Sequence, residues 1–446
     1  MEHSKHFSLP PQPDWSADSF LQPVRDNDAL LHALWEEMDD DDDGAVAAAP
    51  FDTKGATSGA ADSPAEVVAL RQENADLRSQ LATMKEWANA TRSLQFGSGE
   101  DAGEDDQAQK PSRKKDKTLS SVDQNYFDSY GYFGIHETMI SDSVRTDAYR
   151  DFCEKNPELL RGKTVLDIGC GTGILSLFAA RAGAARVIGI DRADIVDYAQ
   201  KIVEANGYGD RVTLIKGKVE EVVLPVDQVD IIISEWMGYF LLYESMFDTV
   251  MWARDNYLAP SGSVHPSGAT IYLSGVQDEH ANFWDDVYGF DMTVIKSALF
   301  AGDLSEPLVE VHPAAAVLTD KTPVLHLDAR VVQPKDCDFK DEFELTVTKD
   351  GTLHGILGHF DVDFTHQCEH PIIMSTSPLG PPTHWKQVLF FLKTPAPVVV
   401  GQTIHGDIVV RRNAKNPRHL DIDMRVAVGP DRSALTGVPM HSYQLE

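Results

Sequence analysis

Two glutamates close together in an otherwise apolar stretch are the first candidates for chemistry. Glu235 and Glu244 lie in residues 234–245, where most other side chains are aromatic or aliphatic. Two carboxylates are costly to bury in such surroundings unless a cation or hydrogen-bond donors satisfy them. A planar guanidinium has the donor geometry that fits carboxylates best. The alternative is a loop with two solvated glutamates, which would be the commoner arrangement if this stretch stood alone.

The run that leads into this stretch indicates where the two glutamates would lie. Residues 229–233 are almost entirely apolar, which is typical of a buried parallel strand. The following stretch therefore opens at the carboxyl end of a strand, where open α/β sheets bind their ligands.

A glycine-rich turn upstream predicts a nucleoside-binding loop. Residues 165–168 have a strand pattern and residues 174–182 a helix pattern, and Asp167 precedes the turn. The turn contains Gly169, Gly171 and Gly173. Glycine at such a turn lets the backbone approach a ligand closely. The spacing is GxGxG, whereas dinucleotide sites use GxGxxG.

Two further strands complete the cofactor pattern. Residues 186–190 end at Asp191, where a carboxylate can accept both hydroxyls of an unphosphorylated ribose. Residues 212–215 are followed by Val219 and Glu220, where an adenine-contacting loop would lie. The combination predicts an S-adenosylmethionine-binding fold, and an NAD site remains as a minor alternative.

The composition indicates an intracellular protein with basic partners. The chain has 446 residues, 42% of them hydrophobic, which is enough for more than one packed domain. A net charge of -31 argues against nonspecific binding to nucleic acid or anionic membranes. No signal sequence or membrane-spanning stretch is recognisable, so we expect a cytoplasmic protein. The cysteines are far apart and are expected to be reduced thiols, with no metal site: Cys153, Cys170, Cys337 and Cys368.

The first 120 residues divide into three segments. Residues 1–63 are acidic and contain proline-rich and glycine-rich runs, which predicts a disordered or docking segment. Residues 64–95 have heptad spacing with Asn74 at an a position, which is typical of a short coiled coil. A single amphipathic helix against the main body fits nearly as well. Residues 96–120 form a charged linker, whose basic run is either a nuclear-import signal or a solvated tether.

The carboxyl-terminal half has a strand-rich pattern. The Ala-Pro-Ser-Gly sequence at residues 259–262 predicts a turn that ends the first domain. Strand patterns separated by glycine and proline turns then predict a β-barrel or sandwich, with strands at 269–273, 324–328, 343–347, 388–392 and 407–410. Residues 279–301 form an inserted aromatic-rich helical segment, either a protruding arm that needs a cover or a helix packed on its own barrel.

Four motifs in this order resemble the type I protein arginine methyltransferase family. They are residues 126–139 (YFDSYGYFGIHETM), 165–173 (VLDIGCGTG), 234–245 (SEWMGYFLLYES) and 383–385 (THW). The similarity extends from about residue 122 to the end of the sequence. Within the family it is closest to the subtype 3 branch, because of Asp191, residues 283–290 and the acidic amino terminus. That branch usually begins with a C2H2 zinc finger, which this sequence lacks.

The resemblance implies a role for each motif residue. The implied catalytic residues are Glu235, Glu244, His384 and Asp142. The implied cofactor-binding residues are Tyr130, His136, Met139, Arg145, Asp167, Gly169, Gly171, Gly173, Asp191, Val219, Glu220 and Met246. The implied substrate-binding residues are Tyr126, Tyr130, Glu235, Met237, Tyr239 and Glu244. Without the neighbouring motifs, His136 would be taken for a core histidine, and Tyr126 and Tyr130 for ordinary packing on one helix face.

The resemblance also implies the architecture and the reaction. An α/β Rossmann-like domain (residues 121–260) would bind S-adenosylmethionine, and a β-barrel domain (residues 261–446) would carry the dimerisation arm of a head-to-tail homodimer. The expected products are S-adenosylhomocysteine and monomethyl- and asymmetric dimethylarginine, since Met139 and Met246 match the type I pattern. Expected substrates are basic, Gly/Arg-rich proteins such as ribosomal or RNA-binding proteins. The alternatives are an inactive adaptor and a methyltransferase of a small guanidino or amine metabolite.

Overall fold

The computed structural model describes residues 126–127, 129–278, 280–302 and 304–446. The predicted acidic segment, coiled-coil helix and charged linker lie outside the described residues. Within the described part of the chain, no helix is both long and apolar enough to cross a membrane.

The amino-terminal part of the described chain forms a parallel sheet with helices around it. Its helices are α1 (Phe133–Ser141), α2 (Ser143–Lys155), α3 (Pro157–Leu160), α4 (Ile174–Arg181), α5 (Val196–Ala205) and α6 (Phe247–Tyr257). Its strands are β1 (Thr164–Ile168), β2 (Arg186–Asp191), β3 (Val212–Lys216), β4 (Val229–Ser234) and β5 (Leu258–His265). All neighbouring pairs are parallel, in the order β3-β2-β1-β4-β5.

This strand order brings the predicted motifs together. β1 and β4 are adjacent at the centre of the sheet and are buried along nearly their whole length, as their apolar sequences require. The glycine turn follows β1 and the two-glutamate stretch follows β4. Chain order reverses between these two strands, and this is the position where open α/β sheets form a ligand crevice.

The predicted turn at residues 259–262 is instead a bulge within a strand. These residues lie inside β5, which ends at His265, so the predicted domain boundary after residue 260 falls within a strand. β5 pairs with β4 on either side of them, but the four residues themselves have no Cα partner on β4. Pro260 is tolerated in such a bulge on the edge strand of the sheet. A Cβ on Gly262 would lie 2.7 Å from the carbonyl oxygen of Asp230, the single β4 residue opposite the bulge.

The carboxyl-terminal part forms two antiparallel sheets of a barrel. Its strands are β6 (Gly268–Val276), β7 (Leu308–Glu310), β8 (Val317–Asp328), β9 (Phe339–Thr346), β10 (Gly351–Phe364), β11 (Ile372–Ser375), β12 (Gln387–Val398), β13 (Thr403–Arg412), β14 (Leu420–Val428) and β15 (His441–Leu445). One sheet has the order β7-β12-β10-β6-β8, with β11 paired to β10, and the other has the order β15-β14-β13-β9. A bridge between Thr319 and Val347 connects the two sheets. One hydrophobic cluster extends from the parallel sheet into this barrel.

The longest strand of the barrel was not predicted from the sequence. β10 contains Gly351, Gly355 and Gly358, which resemble turn signals, and its middle is buried without alternation. A Cβ on Gly358 would lie 2.2 Å from the ring of Phe240, which belongs to the two-glutamate stretch. Glycine at this position therefore provides space for that stretch to pack on the barrel.

The predicted aromatic segment contains two short helices, α7 (His280–Phe283) and α8 (Thr293–Ala301). Several large apolar side chains between and within them are exposed, among them Phe283, Tyr288, Phe290 and Val294. Phe300 of α8 packs on the barrel, with its ring centroid 6.1 Å from that of Phe391, so the segment is partly packed on its own barrel. Tyr288 is 99% exposed, so the residues between the helices are left uncovered.

Candidate functional site

The two-glutamate stretch folds into a tight hairpin with an unusual backbone. Gly238 pairs with Leu241, and the indole of Trp236 stacks on Phe247 at 3.8 Å. Four residues other than glycine have a positive φ: Phe240, Leu241, Glu244 and Ser245. Each such residue costs about 1–3 kcal/mol and persists only where its surroundings hold it. No sequence pattern indicated this geometry, which sets the backbone from which the Glu244 side chain projects.

Glu244 is half-buried and has a tyrosine donor. The hydroxyl of Tyr130 donates to its Oε2 at 2.9 Å. Burial raises the pKa of Glu244 to about 7, and the nearby charge of Glu235 adds to this effect. Hydrogen bonds from Tyr130 and Tyr126 and the charge of Arg418 act in the opposite direction. A cation placed beside this carboxylate would therefore lower its pKa and favour its charged form.

Glu235 faces an arginine of helix α2. Arg145 Nε donates to Glu235 Oε2 at 3.0 Å, and both side chains are less than a tenth exposed. Nη1 of Arg145 also donates to the carbonyl of Met139 at 3.4 Å. Arg145 was predicted to contact a cofactor carboxylate, and the structure places it between the end of α1 and Glu235. A guanidinium has five N–H donors, so this pair leaves several of them for an anionic group.

His384 and Asp142 lie together as predicted. His384 Nδ1 is 2.7 Å from Asp142 Oδ2, and the backbone N–H of His384 donates to the same oxygen at 2.8 Å. Asp142 also caps α2 by accepting the backbone N–H of Arg145. Burial would raise the pKa of Asp142, but the hydrogen bonds from His384 and Arg145 outweigh it and leave the pKa below its usual value. An ionised Asp142 thus holds the histidine ring.

The neighbouring tryptophan fixes this pair against the hairpin. The indole N–H of Trp385 donates to the carbonyl of Met237 at 2.8 Å, and the tryptophan is buried. The THW loop of the barrel is therefore bound directly to the two-glutamate hairpin of the parallel-sheet domain. This contact places His384 beside the site, as its motif suggested.

The glycine turn presents a backbone surface that has no side chain at its glycine positions. Gly169 and Gly171 have φ of +71° and +53°, and a Cβ on them would lie 2.3 Å from Met246 Cε and 3.3 Å from His136 Cε1. A side chain at either position would fill this surface. The predicted neighbours His136 and Met246 are therefore both at the turn. Burial lowers the pKa of His136, whose Nε2 is 2.9 Å from the carbonyl of Tyr130.

Asp167 presents a buried oxygen that has no partner in the described part of the chain. Ser176 donates to its Oδ2 at 2.6 Å, whereas Oδ1 has no hydrogen-bond partner there. Burial raises the pKa of Asp167 to about 7, an effect that the Ser176 hydrogen bond opposes. An unsatisfied buried acceptor of this kind fits a site completed by a donor from a bound ligand.

Asp191 lies at the end of β2, on the other side of the turn. Its two carboxylate oxygens accept the backbone N–H groups of Gly171 and Ala193, each at 2.8 Å. Each oxygen keeps a second lone pair, so both ribose hydroxyls can still be accepted. Val219 is buried and Glu220 is exposed, so only Val219 is packed against the protein at the predicted adenine position.

The remaining predicted residues differ in what they contact. The Tyr126 hydroxyl lies 3.9 Å from Met246 Sδ, and its ring centroid is 5.2 Å from that of Tyr130. Tyr239 is half-buried and stacks on Tyr243 at 5.9 Å. Met237 is buried, and its sulfur lies 4.0 Å from the hydroxyl of Tyr149 on helix α2. Met237 thus packs inside the protein, which does not favour its predicted contact with a substrate.

Two residues at the site were missed by sequence reasoning. Tyr149 is fully buried and donates to the carbonyl of Ser234, the residue before Glu235. Arg418, in the turn between β13 and β14, donates to the carbonyl of Glu244 at 2.7 Å. Both act on hairpin backbone from distant parts of the sequence, so no local pattern could have indicated them. The only sequence sign near Arg418 is a turn-forming run, residues 413–417.

The arrangement as a whole can bind a cation beside a nucleoside. It combines the nearly buried carboxylate of Glu235, the half-buried carboxylate of Glu244 and the ring of His384 held by an ionised Asp142. Beside them lies the glycine turn with Asp167, whose Oδ1 has no partner in the described part of the chain. Such a site is suited to holding a guanidinium next to a bound cofactor, since planar donors match paired carboxylates.

Two family models match this chain. The model described as a methyltransferase domain matches residues 165–262, and the model described as the arginine methyltransferase oligomerization subdomain matches residues 267–430. The first covers the glycine turn and the hairpin, and the second covers most of the barrel and the exposed helical segment.

Curated relatives and solved structures agree with these models. The chain is 48% identical over 323 residues to protein arginine N-methyltransferase 1 of Schizosaccharomyces pombe, covering 71% of this chain and 93% of that protein. It is 44% identical over 321 residues to protein arginine N-methyltransferase 1 of Saccharomyces cerevisiae, covering 71% and 91%. These relatives belong to subtype 1, so the comparisons point to that subtype and not to the expected subtype 3.

Two solved structures have the same fold. One is the Trypanosoma brucei arginine methyltransferase 1 enzyme–prozyme heterotetrameric complex with AdoHcy, with 40% identity, a TM-score of 0.65 and coverage of 72% of this chain and 100% of that chain. The other is Arabidopsis thaliana protein arginine methyltransferase 10, with 30% identity, a TM-score of 0.64 and coverage of 71% and 99%.

Proposed function

This chain belongs to the protein arginine N-methyltransferase family and uses S-adenosylmethionine, and from that premise we propose that it converts protein arginine to monomethylarginine and then to asymmetric dimethylarginine. The observation that carries this proposal is the pair of glutamates, Glu235 and Glu244, largely shielded from solvent next to the glycine turn. S-adenosylmethionine supplies the reactive methyl group when it is bound. All other parts of the reaction depend on how this chain holds the arginine and its proton.

Glu235 and Glu244 would hold the substrate guanidinium. A guanidinium is always protonated and its nitrogen lone pairs are delocalised, so it is a poor nucleophile until it is positioned. Two carboxylates concentrate its positive charge on the nitrogens they contact and leave another nitrogen able to accept the methyl group. Orientation of this kind lowers a barrier by up to about 7–11 kcal/mol. The cation also favours the ionised form of Glu244.

His384 would accept the proton that the arginine nitrogen loses. The ionised Asp142 lies against Nδ1, which keeps a proton on that nitrogen and leaves Nε2 as the acceptor. Trp385 holds the histidine next to the hairpin through the Met237 carbonyl.

The cofactor would be held by the glycine turn and the polar residues around it. Asp191 would take the ribose hydroxyls, Asp167 would accept a donor through its free oxygen, and Arg145 would pair with the cofactor carboxylate while contacting Glu235. His136 and Met246 would pack over the turn, with Val219 at the base. Met139, Tyr130 and Glu220 are the remaining proposed contacts.

The asymmetric product and the dimer are finer parts of the proposal. Met139 and Met246 match the type I pattern, and the similar proteins of subtype 1 support the same product. The barrel carries an oligomerization subdomain, and we propose that the exposed helical segment pairs two copies of this chain. Gly/Arg-rich basic proteins are the proposed substrates, since they suit a chain of net charge -31. A cytoplasmic location also remains a proposal.

Substitution of one glutamate tests the site. Glu244→Gln should abolish methylation of a Gly/Arg-rich peptide, because the amide cannot concentrate the charge of the guanidinium. Its affinity for S-adenosylhomocysteine, measured by calorimetry, should stay within about twofold of the native protein, because no predicted cofactor contact is lost. Glu158→Gln is the matched control, since Glu158 pairs only with exposed Arg161 far from the hairpin in sequence. Native-like turnover by Glu244→Gln would overturn the assignment.

A further inference from the structure

Arg418 holds the peptide groups on both sides of Glu244. The backbone N–H of Glu244 donates to the carbonyl of Arg418 at 2.7 Å, and Nη1 of Arg418 donates to the carbonyl of Glu244 at 2.7 Å. Glu244 has a φ of +74°, a conformation that a residue other than glycine keeps only under external constraint. The neighbouring Ser245 also donates to the carbonyl of Pro417. The turn between β13 and β14 therefore fixes the backbone from which the Glu244 carboxylate projects.

The same guanidinium also contacts the tyrosine segment in front of the site. The Cζ atom of Arg418 lies 3.8 Å from the centre of the Tyr126 ring and 5.7 Å from that of Phe127. A guanidinium is planar, so its edge can donate to a carbonyl while its face stacks on an aromatic ring. Lysine carries the same charge but cannot make both contacts at once.

These contacts form a closed circuit of four residues around the catalytic carboxylate. Its members in order of contact are Arg418, Tyr126, Tyr130 and Glu244. Tyr126 and Tyr130 are in ring contact at 5.2 Å, and Tyr130 donates to the Glu244 carboxylate. The hydroxyl of Tyr126 reaches Met246 Sδ, and Met246 packs over Gly169 of the cofactor turn. A single side chain of the barrel is thus in contact both with the backbone of Glu244 and with the tyrosine that touches the wall of the cofactor site.

We propose that Arg418 is a positioning residue that couples the tyrosine segment over the cofactor site to the placement of Glu244. Cofactor binding and alignment of the carboxylate are then linked, because both depend on the same guanidinium. The inference rests on the proposed methyl transfer for the role of Glu244, but the coupling itself is a property of cofactor binding. If Arg418 only linked the hairpin to the barrel, it would contribute to the stability of the protein and not to cofactor binding.

A double-mutant cycle on the full chain tests the coupling. The variants are Arg418→Lys, Tyr126→Leu and the double variant, and the measured quantity is the Kd for S-adenosylhomocysteine by calorimetry. Arg418→Lys and Tyr126→Leu should each raise this Kd about 10-fold, since each removes the stacked cation–ring pair. The double variant should be little weaker than either single variant, because the same contact is lost in all three. Arg411→Lys is the matched control, since Arg411 on β13 pairs with Asp423 and lies outside the circuit.

Two further readouts separate coupling from a structural role. Hydrogen exchange of residues 126–135 with S-adenosylhomocysteine bound should be faster in Arg418→Lys than in Arg411→Lys, and kcat should fall while the KM for a peptide substrate changes less. Multiplicative Kd effects in the double variant, or a Kd for Arg418→Lys equal to that of Arg411→Lys, would overturn the proposal. Failure of the native protein to methylate any peptide would overturn the proposed function, but the Kd cycle would still decide the coupling.

Discussion

At the scale of single residues, Glu244 is half-buried and its carboxylate accepts a hydrogen bond from the Tyr130 hydroxyl. The Tyr130 hydroxyl is the hydrogen bond that most lowers a pKa which burial raises to about 7. The carboxylate must be ionised to hold a guanidinium, so its pKa limits activity on the acid side. This limit lies near neutrality, where a small change in surroundings alters the ionised fraction.

Tyr130→Phe should move the acid limb of the pH profile to higher pH. Loss of the hydroxyl removes a contact that favours the charged form, so the pKa of Glu244 rises and kcat/KM begins to fall at a higher pH than in the native protein. The measurement is kcat/KM on one peptide from about pH 6 to about pH 9. Tyr257→Phe, on α6, is the control. An acid limb unchanged between Tyr130→Phe and the control would show that Glu244 does not set it.

Most residue types of the site and the pairing of His384 with Asp142 could be predicted, but the residues that hold the hairpin backbone could not. The glycine turn, Asp167, Asp191 and the two glutamates are recognisable because each lies just after a strand or within a spaced motif. Arg418 and Tyr149 could not be found in this way, because they contact hairpin backbone from distant positions in the sequence.

At the scale of elements, a glycine in strand β10 leaves the space in which the hairpin packs. Gly358 faces the ring of Phe240, and a Cβ there would come within 2.2 Å of that ring. The hairpin therefore contacts the barrel in two ways. The Phe240 ring packs over Gly358, and the Trp385 indole donates a hydrogen bond to the hairpin. A methyl group at this position would push the hairpin away from the site.

Gly358→Ala should reduce both stability and turnover. Overpacking of this kind costs about 1–3 kcal/mol of unfolding free energy, and the displaced Phe240 would shift the glutamates next to it. Urea unfolding and kcat measure the two effects. The double variant Gly358→Ala, Phe240→Leu should recover part of both, because the smaller side chain makes room for the methyl group. Gly209→Ala, whose Cβ would meet only Glu204 Cγ at 3.9 Å, is the control. Absence of recovery in the double variant would count against the steric account.

Four strands of the parallel sheet were predictable, whereas β5 and the strands of the barrel were only partly so. β1 to β4 are short apolar runs followed by polar or glycine-rich loops, a strong local pattern. β5 contains proline and glycine in a bulge, β10 contains glycine at close contacts, and these residues resemble turn signals. Tertiary contacts, not local propensity, decide the structure at such positions.

At the scale of the whole molecule, one segment exposes several large apolar side chains to solvent. This segment, the arm, consists of α7, α8 and the residues between them. Tyr288 is 99% and Val294 is 81% exposed. Apolar side chains of this size in one segment are typical of a protein interface. The arm belongs to the region that matches the oligomerization subdomain.

Val294→Asp in the arm should convert the proposed dimer to a monomer. A charge buried in an apolar interface without a partner is strongly unfavourable, and the free monomer has no such cost at an exposed position. Light scattering coupled to size exclusion measures the mass. Val331→Asp is the control, because Val331 is 69% exposed on the barrel outside the arm. An unchanged mass, equal to twice that of the chain, would place the interface elsewhere.

The most direct measurement is mass spectrometry of a Gly/Arg-rich peptide after incubation with the protein and S-adenosylmethionine. The site predicts successive additions of one and two methyl groups on arginine, with fragment ions of the asymmetric dimethyl isomer. The symmetric isomer would contradict the proposed type of product. A peptide left unmodified by a protein that binds S-adenosylhomocysteine would contradict the assignment of Glu235 and Glu244 as the arginine-binding pair.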